Sequence, residues 1–166
     1  MKNTLISEKA VKLLTYRIQQ EELSSRLYEQ MALFLDDKGY KNSAKVWFKW
    51  ASEELNHAKW AKDYLLAFGL TPMLQDLDAP KINFASLCDV IRKSFEHEIN
   101  ITEQCNELAS ESLKLNDHVL YSLATKYTHE QIEELDKLQT LMDILETFGE
   151  SKEAMLLLDS HIDEYI

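Results

Sequence analysis

The sequence predicts an all-α fold, a four-helix bundle with one long crossover between helices two and three, plus a short C-terminal fifth helix. Three observations predict it. Three Gly and two Pro in 166 residues leave few chain breaks. The good helix formers Ala, Leu, Glu, Lys and Gln are abundant. Apolar residues recur at helical spacing in four long stretches. With 45% apolar residues the chain can bury one substantial core, and residues 1–166 read as a single domain.

The first helix is expected to start after Ser7, a good N-cap, and to run to about Leu35, before the turn-like Asp36-Asp37-Lys38-Gly39. The second begins near Asn42 or Ser43 and ends at Phe68, with Gly69 as its C-terminal cap. These two form an antiparallel hairpin. Residues 70 to 83 carry Pro72 and Pro80 and lack helical periodicity, so they form a connection that is long for a helix bundle. At roughly 3.4 Å per residue it spans about 48 Å, more than the roughly 40 Å of a 27-residue helix, so it can return along the whole bundle. The length permits parallel second and third helices without requiring them. The third helix is expected from about Phe84 to Leu115, the fourth from after Asn116-Asp117 to Phe148 before Gly149, and the fifth after Ser151.

Composition excludes several functions. The net charge of −11 opposes binding to a polyanion, so nucleic acid is not expected as a partner. The same acidity attracts metal cations. The opening MKNTLISEKAVKLLTYRIQQEE holds no apolar stretch long enough for a signal peptide or membrane span, so a cytoplasmic location without membrane association is expected. Cys88 and Cys105 form no C-x-x-C pair, which argues against zinc ribbons and disulfide frameworks, and both read as buried thiols.

The chemistry lies at mid-helix. In the second helix Glu54 and His57, three residues apart, project toward one point, the Glu-x-x-His spacing of carboxylate-bridged di-metal sites. Alone the pair is weak, since such spacing arises by chance in many helices. Its row strengthens it, because Trp47, Trp50, Glu54, His57, Ala61, Tyr64 and Phe68 share one face. The first helix gives Leu14, Ile18, Glu21, Ser25, Tyr28 and Leu35, and the third gives Leu87, Ile91, Ser94, Glu98, Ile101 and Cys105. In the fourth the row is Leu120, Ala124, Tyr127, Gln131, Glu134, Leu138, Leu141 and Leu145. Four helices therefore aim polar groups inward. Buried carboxylates need partners, and four of them without enough Arg or Lys point to a metal.

The spacing also repeats. Glu21 to Glu54 is 33 residues, Glu98 to Gln131 is 33, and the halves are offset by 77. Glu21, Glu54 and His57 then stand opposite Glu98, Gln131 and Glu134, with two unequal metal positions, since Gln-x-x-Glu replaces Glu-x-x-His. The competing explanation, surface acids in a chain with 29 Asp and Glu, accounts for each residue singly but not for one phase in four stripes.

The segments QEELSSRLYEQM, ASEELNHAKWAKDYL, FEHEINITEQCNELA and THEQIEEL resemble those of bacterial non-haem ferritins, and the likeness covers essentially the whole chain. The resemblance implies that Glu21, Glu54, His57 and Glu98 bind two irons at a ferroxidase centre, with Glu54 as the bridge and Gln131 as the nearby glutamine. It places Tyr28 beside that centre, either hydrogen-bonding a ligand, supplying an electron, or simply packing. It implies a third iron held by Glu53, Glu130, Glu133 and Glu134, O2 or H2O2 as oxidant, and a shell of 24 identical subunits storing ferric mineral. The chain departs from bacterioferritins at Leu55, where they present a haem-binding Met, so no haem is expected. Tyr121 and Ala124 stand where animal ferritins carry channel carboxylates. His97, His118, His129 and His161 have no second ligand at metal spacing and read as surface or packing residues, and Trp47 and Trp50 read as core fillers or electron donors. Alternatives in other classes are a non-storing di-iron oxidase or peroxidase and a helical interaction protein.

Overall fold

A computed structural model describes residues 6–81 and 83–166, so the first five residues of the opening segment lie outside the described residues. Every regular element among those described is helical: α1 (Glu8–Asp37), α2 (Lys41–Ala67), α3 (Leu87–Lys114), α4 (His118–Phe148) and the short α5 (Lys152–His161), which runs on into one 3₁₀ turn at Ile162–Glu164.

Side-chain caps set most of the N-termini. Ser7 Oγ accepts from the Ala10 amide at 3.1 Å, Asp117 Oδ1 from Leu120 at 2.9 Å, and Ser151 Oγ from Ala154 at 3.1 Å, each relieving one of the unpaired amides of a first turn. The third helix starts later than the expected Phe84. Ser86 Oγ accepts from Asp89 at 3.1 Å and fixes the start at Leu87, leaving Phe84 free to stack on Phe34 of α1 with ring centres 5.6 Å apart. Helix α2 has no local side-chain cap. Its first turn is held instead by Asp159 of α5, whose Oδ1 accepts from the Ser43 amide at 2.8 Å and from Ser43 Oγ at 2.7 Å. A buried carboxylate at a helix N-terminus also meets the positive end of the helix dipole.

Helix ends close by left-handed residues. Gly69, at φ +71°, lets Leu70 N reach Leu65 O at 3.0 Å and ends α2. Asn116, at φ +54°, does the same for α3, with Asp117 N on Ser112 O at 3.0 Å. Asn tolerates this conformation better than most non-Gly residues.

The core is two apolar plates. One holds Met31, Leu35, Trp47, Leu87, Ile91, Leu138, Leu141 and Leu145, together with Met155, Leu158 and Ile162 from the C-terminal segment. The other holds Ala10, Leu14, Ile18, Ala61, Leu65, Ile101, Leu108, Leu120 and Ala124. Chain direction follows from these lists. Helices α1 and α4 run from the second plate to the first, and α2 and α3 run from the first to the second, so α2 and α3 are parallel. The connection confirms this. Leu70 packs on the second plate, Asp76 O accepts from Gln19 Nε2 of α1 at 2.8 Å, and Phe84 packs on the first plate, so the segment travels the bundle's length.

Ala124 is fully buried in the second plate. Cys88 and Cys105 are free, buried thiols. No helix among the described residues is long and apolar enough to cross a membrane.

Candidate metal centre

Between the two plates lies a polar layer. Glu21 of α1, Glu54 and His57 of α2, Glu98 of α3 and Gln131 of α4 are all buried, none more than 5% exposed. The helical period that fills the plates places one ligand row from each helix at the same height.

Three overlapping groups bring ligand atoms within 4.8 Å of one another: Glu21, Glu54 and His57; Glu54, Glu98 and Glu134; and His57, Glu130 and Glu134. Glu54, His57 and Glu134 each belong to two. His57 Nδ1 stands 3.2 Å from Glu54 Oε2 and 3.6 Å from Glu134 Oε1, and its Nε2 stands 3.6 Å from Glu130 Oε1. The ring packs against Trp60 in a tilted pair, 4.7 Å between centres. Tyr127, whose hydroxyl donates to the His57 carbonyl at 2.7 Å, ties α4 to the α2 backbone at this level.

Glu98 is held by two donors. The Tyr28 hydroxyl donates to its Oε1, and Gln131 Nε2 donates to its Oε2 at 2.7 Å. Of the roles open to Tyr28, the structure shows the hydrogen bond to a carboxylate. Trp50 packs on the Tyr28 ring at 6.0 Å and Trp47 on Trp50 at 4.7 Å, with Trp47 Nε1 donating to Ser94 Oγ at 3.0 Å.

Of the remaining predicted residues, Glu53 is partly exposed and pairs with Lys49 at 3.5 Å. Glu133 is exposed and lines the groove between α3 and α4 with Phe95, Ile99 and Asp136. Neither joins the three groups. His97 packs: its Nε2 lies 2.8 Å from Ser24 Oγ, and its ring meets Tyr28 edge-on at 5.8 Å.

The electrostatics fit a cation. Burial, with the charges of Glu21, Glu134 and Glu98 added, holds the Glu54 carboxyl well above the usual range. Burial and the neighbouring Glu98, Glu21 and Glu130 push Glu134 up to about 10, against Lys137. Burial, helped by Glu21, raises Glu98 to about 7 even though Tyr28, Arg17 and Gln131 oppose it. Burial lowers His57, against Glu21, Glu130 and Glu53, so the imidazole is neutral with a lone pair to offer. Crowded carboxylates of this kind share protons until a cation replaces them.

Sequence reasoning missed two cations. Arg17, 2% exposed, stands one turn before Glu21 with Nε 2.8 Å from Glu21 Oε1. The scarcity of Arg and Lys inferred from sequence is corrected to this extent: one buried Arg faces the carboxylates. Its signal was the i,i+4 Arg–Glu spacing beside the Leu14–Ile18–Glu21 row. Lys137 lines the mouth of the centre with Tyr28, Trp50, Glu54, Glu98, Glu134 and Leu138.

Comparison with known proteins agrees with this architecture. The Ferritin family, described as a ferritin-like domain, matches residues 11–148. A probable bacterial non-heme ferritin-like protein of Haemophilus influenzae is 32% identical over 158 residues, 95% of this chain and 96% of that protein. A bacterial non-heme ferritin of Campylobacter jejuni is also 32% identical, over 95% of each chain. Among solved structures, an open pore ferritin of Archaeoglobus fulgidus superimposes with a TM-score of 0.91 at 30% identity, covering 95% of this chain and 96% of its own.

Proposed function

The chain belongs to the ferritin family, and on that premise we propose that it oxidises Fe(II) at the four-helix centre with O2 or peroxide and stores the ferric product inside a shell of 24 copies, in the cytoplasm. Residues 1–166 act as one ferritin-like domain. The observation that carries the reading is the convergence of Glu21, Glu54, His57, Glu98 and Glu134 from four helices into overlapping groups within 4.8 Å. Carboxylates with one imidazole suit iron.

Glu54 lies in both the Glu21–Glu54–His57 and the Glu54–Glu98–Glu134 groups, so one carboxylate can bridge two ions. Two Fe(II) held together release two electrons at once, and O2 takes them up with two protons as hydrogen peroxide. Glu54, Glu98 and Glu134 all have raised pKa values in the metal-free centre, so ion entry displaces their protons and the two protons of the peroxide come from solvent. Tyr28 and Gln131 hold Glu98 in place during ion entry. A third iron sits beside His57 with Glu130 and Glu134, and rotation of Glu53 and Glu133 completes its ligands.

The test is aerobic Fe(II) addition to purified protein, following ferric absorbance and then size-exclusion chromatography with iron detection, beside the Glu54→Ala/His57→Ala double variant. Many ferric ions per chain co-eluting at several hundred kDa, with the fast phase lost in the variant, support the proposal. Oxidation limited to about two irons in a small oligomer would instead mark a di-iron oxidase that stores nothing, and identical kinetics in both proteins would remove the centre from the reaction.

A further inference from the structure

Arg17 is the one buried cation among the described carboxylate partners of the centre, and it is locked in place. Its Nη1 lies 3.6 Å from Cys105 Sγ, its guanidinium carbon stands 5.9 Å from the centre of the Tyr127 ring, and its Nε faces Glu21 at 2.8 Å. It is nonetheless under-used as a structural group. Nη2 finds no acceptor, and Nε meets Glu21 without the direction of a hydrogen bond, so two of its donors are buried without a hydrogen-bond partner. Burying an arginine with donors unpaired is costly, and an ordinary packing role would have selected an apolar or neutral side chain. What it supplies is a fixed positive charge beside Glu21 and near Glu54, both of which belong to one ligand group.

We propose that Arg17 discriminates by charge, disfavouring a trivalent ion against a divalent one at the Glu21–Glu54–His57 position and so driving the oxidised product out. The inference rests on the proposed reading of that cluster as the iron centre. The physics is simple. Glu21 attracts either ion, but Arg17 repels each in proportion to its charge. At separations of roughly 5–8 Å and an effective dielectric near 20, one extra unit of charge shifts affinity on the order of 30-fold or more. Lys137, at the solvent-facing mouth, has water to screen it and exerts less of this repulsion. The fixed charge therefore stands on the closed side and the weaker one at the opening, so repulsion has a direction.

Redox-silent ions test this without turnover. Zn2+ and Ga3+, the latter delivered as its nitrilotriacetate complex, are titrated into wild type, Arg17→Gln, Arg17→Met and Arg17→Lys by competition and calorimetry. The expected result is that Arg17→Gln tightens Ga3+ at least 30-fold more than Zn2+ and that Arg17→Lys restores most of the discrimination. An unchanged Ga3+ to Zn2+ ratio in Arg17→Gln, or a Lys variant that behaves like the Gln variant, overturns the role. Should Arg17→Gln not fold, the neutral and similarly long Arg17→Met takes its place, and an unchanged ratio there overturns the role. If wild type binds neither ion at the cluster, the iron-centre reading falls, whereas binding of both without a shift in ratio removes only the role of Arg17.

Discussion

The two hairpins, α1–α2 and α3–α4, follow one register and balance their buried charge by different means. Moving 77 residues along the chain takes Glu21 to Glu98, Glu54 to Gln131 and His57 to Glu134. The same step takes Arg17 to Ser94 and Tyr28 to Cys105. In the first hairpin Glu21 meets a cation one turn away. In the second, Ser94 is turned to Trp47 and Met31, and Glu98 depends on neutral donors from Tyr28 and Gln131. Spacing alone thus makes two ligand positions, but the neighbours of each ligand decide whether it is held by charge or by hydrogen bonds.

The largest blow to this pairing is Glu54→Ala, because Glu54 serves both positions. Divalent-cation affinity measured by calorimetry with Zn2+ should fall at both, by more than the roughly 10- to 100-fold typical of losing a supporting partner. Loss at only one position would show that Glu54 is not shared. Next comes the contrast between Arg17→Leu and Ser94→Ala in metal-free protein. Leaving Glu21 buried and unpaired should cost about 3–5 kcal/mol in urea denaturation near neutral pH, against about 1 kcal/mol for the serine. Equal losses would mean that charge does not separate the two halves.

Tyr28→Phe takes one donor from Glu98 and should cost about 1–3 kcal/mol of metal-free stability. Gln131→Leu should lower affinity at the Glu98 position by roughly 10- to 100-fold while sparing the His57 position. Equal effects at both positions would break the assignment of Tyr28 and Gln131 to one half.

The smallest effect concerns Cys105, the counterpart of Tyr28. Burial pushes its thiol up to about 12, against the pull of Arg17 and with Glu21 adding to the rise. A raised acid pKa keeps the neutral thiol, so the thiolate that reacts is scarce below that value and grows as pH approaches it. Iodoacetamide should therefore leave Cys105 unmodified in native protein at pH 8 and label it fully in denaturant. Rapid native labelling at pH 8 would show an open path to the ligand layer.

Much of this was legible because helix caps and core rows are local. Ser7, Asp117 and Ser151 announce their helices, and the four stripes put Glu21, Glu54, Glu98 and Gln131 at one level before any coordinates are known. What escaped depends on distance along the chain. The α2 start is set by Asp159, 116 residues away, so no local pattern could reveal it. Phe84 fits helical periodicity but stacks on Phe34, which leaves Ser86 to begin α3. In the sequence Glu134 belongs to the second half and the third iron, yet it also meets Glu54 and Glu98, a contact that only the packing of α4 against α2 and α3 decides. Arg17 was overlooked because arginine is so rarely buried that position alone did not outweigh that expectation.

The segment that travels from Leu70 past Gln19 to Phe84 makes few commitments of its own. It is a tether between two helical hairpins whose recognition surfaces are the apolar plates and the ligand layer. Its thermodynamic contribution is thus chiefly an effective concentration, holding one hairpin near the other at a level far above that of separate fragments. Cutting the chain there would convert folding into a bimolecular association, and a cation joining ligands from both fragments would act as the rivet of a split protein.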